Sequence, residues 1–104
     1  MAEHHISLVD GAALVVVEEE WPALANSSYG TLRGGAYLIA RLAVRRHQDG
    51  RTLVHLEEHV GGKSTHSGVL LGEGTSEVLK QACRALVEQR DLPASLADEC
   101  LAAM

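Results

Sequence analysis

Three of the six histidines fall close to two glutamates, in His55-Leu56-Glu57-Glu58-His59 and, a few residues on, His66. The spacing H-x-x-E-H is that of the inverted zinc proteases, where two histidines four apart on a helix share one face and one ion. Here the segment is bracketed by Gly50 and Gly61-Gly62 and reads as a strand. Four residues along a strand cover about 13 Å, whereas zinc–nitrogen bonds are about 2 Å. His55 and His59 therefore cannot share an ion. A strand offers a different set, because residues two apart do share a face: Glu57 with His55 or His59, joined by His66 from the next strand, could converge, and Glu57, His59 and His66 are the candidate metal ligands. The competing reading is a solvated face on which Arg41–Glu57 and Glu57–His66 are cross-strand pairs, each contributing roughly 0.2–1 kcal/mol. On that reading no metal or cofactor is expected.

The other chemical signals are thinner. Gly61-Gly62-Lys63-Ser64-Thr65 matches the end of a phosphate loop, but the first glycine of that motif falls on Glu57 and no helix follows. A Gly-Gly hairpin turn explains it better. Cys83 and Cys100 lie in helical apolar stripes, which is the pattern of buried thiols rather than of nucleophiles or a disulfide framework. No G-x-S-x-G is present, so no catalytic residue is assigned and the chain is not expected to be an enzyme. Arg41, Arg45, Arg46 and Arg51 are the basic concentration and could meet a nucleic-acid backbone or an acidic protein. The net charge of −5, from 14 acidic and 9 basic residues, argues against a general nucleic-acid binder. Gly72-Glu73-Gly74-Thr75-Ser76 followed by Lys80 resembles the final strand and helix of double-stranded RNA-binding domains. That family has a run of lysines where this chain has Glu77-Val78-Leu79-Lys80, so its activity does not carry over.

The elements that must position these residues follow from periodicity. Ile6–Val9, Asp10-Gly11 and Ala13–Val17 read as a hairpin with a tight turn. Residues 22–35, with Pro22, Asn26-Ser27-Ser28, Gly30 and Gly34-Gly35, read as a long loop. Strands are expected over 36–47, up to the turn at Gly61-Gly62, and over 64–71. The three-residue loop Gln48-Asp49-Gly50 sets His47 opposite Arg51, and hence Val44 opposite Val54, Leu42 opposite Leu56 and Arg41 opposite Glu57. The Gly61-Gly62 turn sets Val69 beside Val54 and His66 beside Glu57. From Thr75 or Ser76 the apolar period becomes helical through about Arg90, with Val78, Leu79, Ala82, Cys83, Leu86 and Val87 on one stripe. Pro93 opens a second short helix that buries Leu96, Cys100 and Leu101.

The expectation is one α+β domain over residues 1–104. Its antiparallel sheet has about five strands in the order ββ-loop-βββ, with one long and one short C-terminal helix packed on one face. The hydrophobic share of 46% is that of a folding chain, and with no phenylalanine the core must be aliphatic. No apolar run is long enough to span a membrane, and Met1-Ala2-Glu3-His4-His5 lacks the pattern of a signal peptide; a cytoplasmic location is expected. The outer sheet face carries Tyr37, Ile39, Leu53 and Leu70, which either the N-terminal hairpin or a second copy must cover. The functional expectation is a protein-binding module of the regulator or inhibitor type, acting as a homodimer. Its partner-binding residues are Trp21 and Tyr29 on the long loop, with Tyr37, Arg41, Arg45 and Arg46.

Overall fold

The computed structural model describes the backbone of residues 6–10, 21–71 and 76–104, and the side chains of the last two stretches. Strands β1 (Ile6–Asp10), β2 (Ala23–Arg33), β3 (Ala36–Arg46), β4 (Thr52–Val60) and β5 (Lys63–Leu71) are followed by helices α1 (Ser76–Gln89) and α2 (Ala94–Ala102). The five strands form one antiparallel sheet in the order β1-β5-β4-β3-β2. Four of them, β2 to β5, run as a meander, and the short β1 pairs with the far edge of β5. This is the expected α+β architecture, with both helices on one face.

The β3–β4–β5 register is the one the turns dictate. Val44 faces Val54, Leu42 faces Leu56, Arg41 faces Glu57, Val69 faces Val54 and His66 faces Glu57. Asp49 holds the connecting loop by accepting from the Arg51 backbone N–H at 3.0 Å and from Arg51 Nε at 2.8 Å.

The loop expected over 22–35 is instead β2 and a tight turn. Gly34 and Gly35 have φ of +58° and +82°, and Gly61 and Gly62 have +56° and +80°. Two successive positive φ angles make the primed turn whose twist suits a hairpin, and glycine adopts it without strain. Asn26, Ser27, Ser28 and Gly30 resemble loop residues locally, yet pairing with β3 draws them into a strand because β2 lies at the sheet edge with one half-solvated face. The strand expected over Ala13–Val17, the turn at Gly11 and the helix cap at Thr75 lie outside the described residues.

The core is a layer between the sheet and the helices. Leu38, Leu42, Val44, Val54 and Leu56 from the sheet meet Leu79, Cys83, Leu86, Leu96 and Cys100 from the helices. Helix α1 ends in a Schellman motif: the Leu92 N–H donates to the Val87 carbonyl at 3.0 Å and the Asp91 N–H to the Glu88 carbonyl at 3.0 Å. Asp91 takes the left-handed position at φ +58°. Arg33, the last residue of β2, donates to the Asp91 carbonyl at 2.8 Å and ties the helix end to the sheet. Among the described residues no helix is long and apolar enough to cross a membrane.

Candidate functional site

The β4–β5 hairpin assembles its polar residues into one chain on the outer sheet face. The Ser64 hydroxyl lies 2.6 Å from His59 Nδ1, and His59 Nε2 lies 2.5 Å from Glu57 Oε1. The other Glu57 oxygen is 3.8 Å from His66 Nδ1, which is 3.0 Å from His55 Nε2. Toward the ionised Glu57 carboxylate, which only accepts, His59 Nε2 is the donor, and the Ser64 hydroxyl bonds to His59 Nδ1. Burial works to raise the Glu57 carboxyl, but the His59 hydrogen bond and the charges of His59, His66 and Arg41 hold it below the usual range. His55, only 2% exposed, is pushed down to about 4, first by burial and then by the charges of Arg45 and His66.

The three candidate ligands Glu57, His59 and His66 are thus brought together, but as hydrogen-bond partners. The His55 and His66 ring centroids are 5.3 Å apart and the planes differ by 24°. That separation is close to the greatest a 3.0 Å nitrogen contact permits, so the rings meet end to end through those nitrogens. A zinc ion needs two lone pairs converging on it at about 2 Å, whereas here the nitrogens point at each other across a single proton. Among the described residues no group of three or more His, Cys, Asp or Glu is placed to hold a metal ion. The hydroxyl–imidazole–carboxylate order is that of an activated nucleophile. However, the His59 side chain is 47% exposed, and the depression lined by Pro22, Arg46, His47 and Gln48 lies at the opposite end of the sheet.

The expected partner-binding residues separate into two groups. Trp21 is buried against Leu53 and Leu70 on the outer face. Its ring lies 4.9 Å from the His47 ring, the Arg51 guanidinium sits 5.0 Å above it, and its carbonyl accepts from Arg45 Nη1 at 3.2 Å. Tyr29 is half-buried against the helical side of the sheet. The arginines do not assemble into one stripe. Arg45 and Arg51 are held around Trp21, and Arg41 stands opposite Glu57. Arg46 pairs with Thr52, its guanidinium Nε 3.5 Å from the threonine hydroxyl.

Tyr37 does stand open, at 57% exposure, with Leu32 at 74% and Ile39 at 47%. Leu32 is directly opposite Tyr37, and Ile39 is two residues along β3 on the same face. His59 is the cross-strand neighbour of Ile39, and Ser64 that of His59, so the polar chain borders this apolar patch.

Sequence reasoning missed two features. Leu32 was hidden inside the supposed loop. Glu58, buried on the helical face, is paired with Arg90 through a 2.6 Å contact to Arg90 Nε. The signal for Glu58 was available: the register gives it the inward parity of Leu56, opposite the small Ala40. No protein-family model matches the chain, and no curated protein or solved structure matches it.

Proposed function

We propose that the chain is a small protein-binding module of the regulator or inhibitor type, without catalysis of its own, that acts as a homodimer. The observation that carries this reading is the outer-face patch of Leu32, Tyr37 and Ile39, exposed beside β2, which is an edge strand among the described residues. Large apolar side chains grouped with an aromatic and bordered by polar groups are the composition of an interface centre. The small aliphatic core adds a reason, since association stabilises a folded state that few large side chains support. The binding centre moves accordingly, from Trp21, which is buried, to Tyr37 and its neighbours.

Sedimentation from low to high micromolar concentration tests self-association, and a monomer throughout refutes it. Affinity capture with the native chain and with Ile39→Lys tests the patch. A specific partner held by the first and lost by the second is expected; equal retention by both would show that binding lies elsewhere.

A further inference from the structure

We propose that the outer edge of β2 is the seam between two copies of this chain, paired antiparallel about a two-fold axis near Ser28. The inference rests on the homodimer reading above and names its interface. β2 ends the strand order, with β3 on one side and no strand among the described residues on the other. Its 11 residues are twice the common strand length. Natural edges are blunted by charges, proline, bulges or short length. Between Ala23 and Leu32 there is no charged residue and no proline. Arg33 closes the strand but is engaged with the end of α1, and the one register irregularity falls at the Ala23/Ala25 end.

The edge is also held in shape for pairing. Helix α2 packs on β2, and the Ser27 hydroxyl donates to the Leu96 carbonyl at 2.6 Å. The strand is therefore ordered along its length before any partner arrives, which lowers the entropic cost of association.

Self-pairing suits this strand in particular. Ser28 is its midpoint, and an axis there keeps every residue on its own face of the joined sheet. Asn26 meets Gly30 of the second copy on the outer face, and Ala25 meets Thr31 on the helical face. No like charges stand opposite one another, whereas a charged peptide strand would find nothing complementary on this edge. Tyr37 reaches across β2, its hydroxyl 2.5 Å from where a Cβ on Gly30 would stand. In the pair this hydroxyl comes to Asn26 of the second copy. The two outer faces lie on the same side of the joined sheet, so both Leu32/Tyr37/Ile39 patches flank the seam.

The full chain carrying Ser28→Glu is the test, read by sedimentation equilibrium. The new carboxylate gains Arg41 as its cross-strand neighbour within the monomer, while two carboxylates face each other at the axis of the dimer. Dimerisation is expected to weaken at least tenfold with the monomer fold retained by circular dichroism. Ser28→Cys provides an independent arm: mild oxidation should link two copies through residue 28, while Ala23→Cys should not link. A dimer unchanged by Ser28→Glu and unlinked by Ser28→Cys overturns the seam and leaves the homodimer reading standing. A wild-type chain that stays monomeric at high micromolar concentration overturns both.

Discussion

Acidification from about pH 8 to pH 5 should remove about 2 kcal/mol of folding stability through His55 alone. The imidazole is 2% exposed on the outer face, and burial, then Arg45 and His66, lower its pKa from the ordinary 6.5 to about 4. Above the ordinary value both folded and unfolded states hold it neutral, so it contributes no pH dependence. Below it, the unfolded chain takes up a proton that the folded chain refuses. Stability therefore falls as pH falls, by about 2 kcal/mol at pH 5 and about 3 kcal/mol near pH 4. Glu57 and Asp49, both held below their ordinary values, act only at lower pH: their stabilisation is present above 4.5 and 3.8 and is lost as pH drops through the folded values. The window between pH 8 and pH 5 thus separates His55 from these two carboxylates, and the comparison with a variant lacking it separates it from the other histidines. Urea denaturation across that window, for wild type and His55→Gln, is the assay. The wild-type curve should fall and the variant's should be flatter by about the same 2 kcal/mol. Parallel curves for the two proteins would refute the reasoning.

Three further outcomes are expected. Asp91→Gly should stabilise the fold by about 0.5–1 kcal/mol in denaturant titrations, because glycine relieves the φ of +58° at the end of α1; a destabilised variant would show that the aspartate side chain does more than tolerate the turn. Arg90→Met should cost about 1–3 kcal/mol by leaving the buried Glu58 carboxylate without its partner, a figure reduced from that of a fully buried pair because Arg90 is half exposed; Glu58→Gln in the same background should recover part of it. Cys83 and Cys100 are both buried, and burial raises both thiols, Cys83 to about 12. Neither should react with a thiol reagent in the native state at neutral pH, and both should react in denaturant; native labelling at either position would contradict the packing.

Much of the sheet was legible because its signals are local. Gln48-Asp49-Gly50 and Gly61-Gly62 determine turn geometry within a few residues, and a turn of known length sets the whole register beside it. The Arg41–Glu57–His66 row followed directly from that, and the same register dismissed the H-x-x-E-H motif. The helical stripe of Leu79, Cys83 and Leu86 was equally readable. β2 was not, because Asn26-Ser27-Ser28 and Gly30 carry a loop's composition and become a strand only through β3 and α2. The candidate site was half legible. Glu57, His59 and His66, with His55 as the alternative to His59, were placed on one face, but Ser64 joined them, and His55 met His66 nitrogen to nitrogen, only when rotamers were seen. Trp21 was read as an anchor for a partner because aromatics at loop ends often are, whereas contacts with Leu53, His47 and Arg51 fold it onto its own sheet.

The sequence by itself determined the α+β class, the β3–β4–β5 register, the helices and the inward and outward sorting of their side chains. Those properties depend on side-chain period and turn chemistry, which act over a few residues. Only the tertiary structure decided which part of the outer face is covered and which strand is left as an edge. Exposure depends on what packs above a residue from elsewhere in the chain, and Leu53 and Ile39 have the same outward parity with opposite fates. Covering one end with Trp21 and leaving Leu32, Tyr37 and Ile39 open at the other is a non-local outcome, and it places the proposed interface beside β2.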